Sequence, residues 1–278
     1  MKNVKKLLAA AMAATMMFSL AACGSGDSAA SQSPQESANP GASAGEDTLT
    51  TVEKGKLIMS TNATFPPYEF VGDDGSIQGV DVDVAKAIAE KLGLELVIED
   101  MGFDAALQAV QTGKSDIAMA GITVNADREA VMDFSESYAT GIQVVIVKEG
   151  SDVTLDNLGE KMIGTQMGTT GYLYASDTPE NGGYGDDHVV GYDDGIVAVQ
   201  ALMNGQVDCV IIDNEPAKSY VEANAGLTIL DGAWVSEEYA IGMAKGNTAL
   251  QKAINEILAE MKADGTIQAI LDQYISAE

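Results

Sequence analysis

Arginine is almost absent. Among 278 residues the chain has one, Arg128, and the other 14 of its 15 bases are lysines. Histidine occurs once, at His188, and cysteine twice, at Cys23 and Cys209. A single histidine argues against a multi-histidine metal centre and against a Ser-His-Asp triad, and His188 lies in a strand-like run, His188 to Val190. Two cysteines give no disulfide framework. Cys209 lies in the apolar run Val207 to Ile212 and reads as a small buried hydrophobe. Positive charge is scarce as well: 42 acids face 15 bases, a net charge of −27. Such a surface repels nucleic acid and anionic headgroups. The acid pairs Asp186-Asp187 and Asp193-Asp194 lack the alternate-ligand spacing of a calcium loop and read as solvated surface. No metal site, no cofactor and no catalytic residue is expected.

The lone arginine closes the segment Ala120-Gly121-Ile122-Thr123-Val124-Asn125-Ala126-Asp127-Arg128. Lysine serves for solubility and ordinary surface pairing, whereas a guanidinium fork holds a planar carboxylate by two parallel hydrogen bonds. A surface salt bridge is the plain alternative. The setting favours binding: an apolar strand, Ile117 to Ala120, runs into a Gly-Ile-Thr turn, and Asn125 or Asp127 then starts a helix. Ligands of open α/β sheets gather at the carboxyl ends of strands, beside helix N-termini.

The N-terminus has the pattern of a secretory signal. Lys2, Lys5 and Lys6 precede an apolar run, Leu7 to Leu20, too short and too small in side chains for a membrane span. It ends Leu20-Ala21-Ala22-Cys23, which resembles a bacterial lipobox. Residues 1–22 are therefore expected to be a lipoprotein signal peptide, with Cys23 lipidated as the first mature residue. Removing 1–22 leaves 12 bases against 42 acids, a net charge of −30, so acyl chains such as palmitate, not electrostatics, would hold the protein to a membrane. A diacylglyceryl group supplies the two chains that stable anchoring needs. Residues 23–50 are Ser, Ala, Gly, Pro, Gln and acid, and read as a disordered tether reaching about 30 Å.

From residue 51 onward strands and helices alternate, which predicts an α/β fold of βα units. Val84, Ile88 and Leu92 form a helix face behind Asp81 and Asp83, and helices are expected at Ala105 to Gln111 and Gly195 to Met203. The run Leu107-Gln108-Ala109-Val110-Gln111-Thr112-Gly113 through Asp116-Ile117 is echoed by Val199-Gln200-Ala201-Leu202-Met203-Asn204-Gly205 through Asp208-Cys209. Each is a helix closing on glycine, then an aspartate entering an apolar strand. Common βα punctuation is one explanation, two similar lobes the other.

Several segments together resemble the family 3 extracellular solute-binding proteins of ABC transporters for polar amino acids. They are Thr61-Asn62-Ala63-Thr64-Phe65-Pro66-Pro67-Tyr68-Glu69-Phe70, Gly79-Val80-Asp81-Val82-Asp83, Ala120-Gly121-Ile122-Thr123 through Arg128, Met132-Asp133-Phe134-Ser135, Gly168-Thr169-Thr170-Gly171, and Ile212-Asp213-Asn214-Glu215-Pro216. The resemblance implies a type II periplasmic-binding-protein-like fold, two α/β lobes joined by two crossovers with the ligand in the cleft. Lobe 1 would be 51–138 plus 240–278, and lobe 2 would be 143–235. It also implies a monomeric, lipid-anchored receptor on the extracytoplasmic face of a bacterial membrane, passing a free amino acid to an ABC transporter permease.

Site roles follow from the same resemblance. Arg128 would grip the ligand α-carboxylate, helped by Thr123 and the backbone N–H of Thr170. Asp213 would take the ammonium with the Gly121 carbonyl, although a helix N-cap is its plain structural reading. Phe65 and Phe103 would pack on the ligand, where composition alone makes them core aromatics. Asn62 stands where relatives for basic or amide ligands often carry Asp, and Gln166 where a glutamine-binding relative carries Lys. Both departures remove charge, which favours a neutral polar side chain such as glutamine or cystine. The competing class is an extracytoplasmic dehydratase of the same fold acting on a cyclic amino or keto acid, because fold does not fix function. If Cys23 carries the anchor, Cys23→Ser moves the protein from the membrane pellet to the soluble fraction. A variant that still sediments with membranes excludes this anchor.

Overall fold

The computed structural model describes residues 49–275. The expected signal peptide, Cys23, nearly all of the tether and residues 276–278 lie outside the described residues. The chain starts on β1 (Lys56–Thr61) and passes through a small antiparallel sheet of β2 (Thr64–Phe65), β3 (Glu69–Val71) and β4 (Ile77–Gln78). Then come α1 (Val80–Leu92), β5 (Glu95–Asp100), α2 (Phe103–Gln111), β6 (Ile117–Ala118), α3 (Ala126–Val131) and β7 (Met132–Phe134). A second series follows: β8 (Ala139–Lys148), β9 (Ile163–Gln166), α4 (Thr170–Ser176), β10 (Val189–Tyr192), α5 (Gly195–Met203), β11 (Cys209–Asp213), α6 (Asn214–Ala223), β12 (Leu227–Ile229) and β13 (Val235–Tyr239). The chain then returns through β14 (Gly242–Ala244) to α7 (Thr248–Ala263) and α8 (Thr266–Tyr274). His188 departs from expectation: it ends a short 3-10 turn, Asp186–His188, just before β10.

The strands form two mixed sheets. One has the order β5-β1-β6-β14-β7, the other β10-β9-β11-β8-β12 with β13 also on β8. The chain passes between them twice, after β7 and after β13. The segments 139–142 and 236–239, between the expected lobe boundaries, run as paired antiparallel strands, with Ala139 opposite Tyr239 and Ile142 opposite Ser236. Gly141 permits the close pairing: a Cβ there would stand 2.6 Å from Tyr239 Cε1.

The internal echo is structural. At both helix ends a left-handed glycine, Gly113 (φ 68°) or Gly205 (φ 72°), reverses the chain. The capping bonds correspond, Lys114 N–H to Ala109 O at 2.8 Å and Gln206 N–H to Ala201 O at 2.9 Å. Asp116 then accepts from Ile58 N–H and Asp208 from Met162 N–H, each at 2.8 Å. One local sequence pattern thus closes the same turn in both sheets.

α7 supplies a fully buried stripe of Leu250, Ile254, Leu258 and Met261 at helical spacing, packed in one cluster with α1 and β1. Leu258→Ala is expected to cost about 2–5 kcal/mol, the transfer energy plus that of the residual cavity. Urea unfolding would read it as a lowered midpoint with an unchanged slope.

Candidate functional site

Four parallel strands point their carboxyl ends at one place. β1 leads to Asn62, β6 to Gly121 and Thr123, β9 ends on Gln166 and β11 ends on Asp213. Two helices begin there, α2 at Phe103 and α4 at Thr170, whose first N–H groups have no intrahelical acceptor. All nine expected residues lie on the wall of one narrow cavity, with Glu69, Ala120 and Thr169. A more open depression is bounded by the crossover residues 139–142, Tyr239 and α8, and Asp213 alone of the nine reaches it.

Arg128 is 7 % exposed, which removes the surface-salt-bridge reading. Its backbone N–H is capped by Asn125 Oδ1 at 2.9 Å, so Asn125 starts α3. Nη1 donates to Thr123 O at 2.7 Å and Nη2 to Gly168 O at 3.1 Å. The guanidinium lies over the Phe103 ring, with Cζ 5.3 Å from its centroid. Burial lowers its pKa, and Glu237 is the foremost charge opposing that. Gly121 has φ 55°, and a Cβ there would come within 2.6 Å of Phe65 Cε1, so the turn needs glycine on both counts.

The two sheets meet across the cavity. Gln166 Nε2 donates to Asn62 Oδ1 at 2.8 Å, Thr64 Oγ1 to Asp194 Oδ1 at 3.0 Å, and the Tyr220 hydroxyl to Thr64 O. With the Arg128–Gly168 bond these contacts close the cleft. The two residues noted for lacking charge, Asn62 and Gln166, are therefore bonded to each other.

Asp213 occupies the N-cap position of α6 but makes no side-chain cap bond. Its carboxylate turns the other way, accepting from the Tyr239 hydroxyl and, at 2.7 Å, from Gln143 Nε2. The same nitrogen donates to Glu237 Oε2 at 2.9 Å, which also accepts from Thr170 Oγ1 at 3.0 Å. Burial, and next the Glu237 charge, push the Asp213 carboxyl up to about 7.

Three site residues escaped the sequence reading. Glu69 is fully buried on the cavity wall, and no donor among the described residues reaches either of its oxygens. Burial, and next the Asp81 charge, raise its carboxyl well above the usual range, which favours the neutral form. Asp81, also fully buried, accepts from Tyr138 Oη at 2.6 Å and Gly121 N–H at 3.1 Å. The available signal was one acid inside an aromatic and proline run, Phe65 to Phe70. Gln143 and Glu237 are the other two. One is an amide at the head of the apolar run Val144 to Val147. The other is the inward member of Glu237-Glu238, where Glu238 is exposed.

A buried guanidinium and a buried acid thus face one cavity between two α/β sheets. A model of the bacterial extracellular solute-binding proteins, family 3, matches residues 57–277. The chain belongs to that family. The L-cystine-binding protein TcyJ of Escherichia coli strain K12 is 32% identical over 81% of this chain and 85% of its own length. The arginine-binding extracellular protein ArtP of Bacillus subtilis strain 168 is 29% identical over 99% of this chain and 100% of its own. Among solved structures, an ancestral arginine-binding protein bound to arginine superposes with a TM-score of 0.74, at 38% identity over 80% of this chain and 99% of that one. The fold is thus that of the type II amino-acid-binding proteins. These relatives are transport binding proteins, and they lend no support to the dehydratase reading.

In this solute-binding protein the Asp213 carboxyl, ordinarily near 3.8, is raised to about 7. Between those values the folded, ligand-free protein keeps a proton that the unfolded chain has lost. The stabilisation from that proton is full below about 4 and lost as pH rises through about 7. Across this window ligand-free stability should fall more steeply in wild type than in Asp213→Asn, by denaturant titration at stepped pH. Equal slopes would mean that Asp213 is already ionised at the acid end.

Proposed function

We propose that the protein captures a free L-amino acid outside the cytoplasm, held there by lipid on Cys23, and presents it as a monomer to an ABC transporter permease. One observation carries the reading. A buried guanidinium and a buried carboxylate, Arg128 and Asp213, approach one closed cavity from the two facing sheets. An α-amino acid is a zwitterion and needs both. Arg128 grips the α-carboxylate with Thr123 and the Thr170 N–H, and Asp213 with the Gly121 carbonyl takes the ammonium. Phe65 and Phe103 pack against the aliphatic part, and Asn62 and Gln166 line the side-chain end. Lobe 1 (51–138 and 240–278) and lobe 2 (143–235) close about the crossovers, and ligand shifts that equilibrium toward the closed form.

For the side chain, Asn62 and Gln166 by themselves favour a neutral polar group such as that of glutamine or cystine. Glu69 widens the choice. A neutral buried carboxyl whose oxygens receive no hydrogen bond suits a ligand that ends in N–H donors. The amide of glutamine, the second ammonium of cystine and the guanidinium of arginine all qualify, and a cation would additionally ionise Glu69. A thermal-shift screen of the delipidated protein against the amino acids, cystine and ornithine ranks them. A ligand at a hundred times its Kd stabilises the fold by about 2.7 kcal/mol.

Arg128→Lys keeps the charge and loses the planar fork. Calorimetric titration should show affinity falling by about 2–5 kcal/mol, roughly thirty-fold to several thousand-fold. Wild-type affinity in that variant would remove Arg128 from the site. Glu69→Gln should weaken arginine far more than glutamine, and equal losses would detach Glu69 from side-chain recognition.

A further inference from the structure

Gln143 Nε2 donates to two carboxylates at once, Asp213 Oδ2 at 2.7 Å and Glu237 Oε2 at 2.9 Å. The three side chains sit side by side on β11, β8 and β13, and they are 8 %, 1 % and 7 % exposed for Asp213, Gln143 and Glu237. Two carboxylates sharing one neutral amide away from water carry two charges only at high cost.

The surroundings decide which of them gives up its charge. Glu237 faces Thr170 Oγ1 at 3.0 Å, the Tyr174 hydroxyl and, beyond them, Arg128, whose foremost Coulombic partner it is. Asp213 faces the hydroxyl of Tyr239, with Tyr68 and the acids Glu69 and Glu215 around it, and it ranks last among the charges acting on Arg128. Glu215 itself is tied to Lys218 at 3.1 Å. The cation's field therefore falls first on Glu237 and least on Asp213, which is left as the acid that can hold a proton.

We propose that Glu237, held beside Asp213 by the shared Gln143 amide, is a positioning residue that keeps a proton on Asp213 until the ligand ammonium arrives, so that capture of an amino acid releases a proton. The Asp213 O–H bond breaks and its proton passes to water. The ammonium keeps its own three protons and donates one hydrogen bond to the carboxylate so formed. Acid thus competes with ligand, and affinity rises with pH until Asp213 ionises without help. The raised Asp213 carboxyl is in keeping with this arrangement. The inference rests on the amino-acid reading of the site, but the proton on Asp213 is measurable without ligand.

Two measurements separate the two ideas. Difference infrared spectroscopy of the ligand-free protein should show a protonated carboxyl band that titrates near neutral pH and disappears in Asp213→Asn. In Glu237→Gln, which keeps the shape and removes the charge, the band should titrate at lower pH. Calorimetry with L-arginine and with L-glutamine, in buffers of different ionisation heat, should show proton release below neutrality. Affinity should fall about tenfold per pH unit there. In Glu237→Gln the fall begins at lower pH. Gln143→Met removes the shared donor and should move the profile the opposite way, to higher pH. A profile unmoved in both variants, or binding without proton release below neutrality, overturns the proposal. If neither amino acid binds while the infrared band behaves as described, the ligand assignment fails and the proton assignment stands.

Discussion

A guanidinium can be buried only where the fold answers its charge and all its hydrogen-bond donors. Arg128 meets part of that constraint from both sides of the cavity: the Thr123 carbonyl from one, the Gly168 carbonyl from the other, and the Phe103 face beneath. None of these groups is itself anionic. The charge is balanced from farther off, first by Glu237. The closed cleft, the turn at Gly121 and the glycine-led loop at Gly168 all follow from placing this one side chain where two sheets meet.

The strands that carry the chain between the sheets also carry the chemistry opposite Arg128. Gln143 lies on β8, Glu237 and Tyr239 on β13, and the two strands pair in register. Tyr239 forms an isolated bridge with Thr123, and its hydroxyl bonds Asp213. The Asp213 carboxylate and the crossover are therefore one hydrogen-bonded unit. A change in the angle between the sheets acts directly on the groups that set the charge of Asp213.

The cavity is acidic overall, which a count of its polar residues conceals. Glu69 and Asp81 are buried together on one side, and Asp213 and Glu237 share an amide on the other. Buried acids whose charge depends on a neighbour adjust to what arrives. A donor-bearing side chain meets a neutral carboxyl, and a cationic one meets a carboxylate. This provides hydrogen bonds without holding several uncompensated charges in the ligand-free protein.

Of the nine residues expected from sequence, Arg128, Gly121 and Asp213 have a local signature, a turn with glycine or a strand ending before a helix, whereas Asn62, Phe65, Phe103 and Gln166 were expected from the family resemblance. The local grammar is written in adjacent residues, and it was enough to locate the turn that leads from β6 to Arg128, to place Asp213 at the end of β11, and to predict α5 over its full length. The same grammar left a cap for α6 open as the plain alternative for the Asp213 side chain, since an N-cap position looks identical whether or not a tyrosine and an amide compete for the carboxylate. Glu69, Gln143 and Glu237 became site residues only through the tertiary structure. Gln143 and Glu237 are 94 positions apart, and Gln143 and Asp213 are 70 apart. Sequence alone determined the kind of fold and where its strands deliver functional groups. Which acids are buried, and which of them share a donor, was decided by distances across the two sheets, because desolvation and Coulomb energy depend on separation in space and not along the chain.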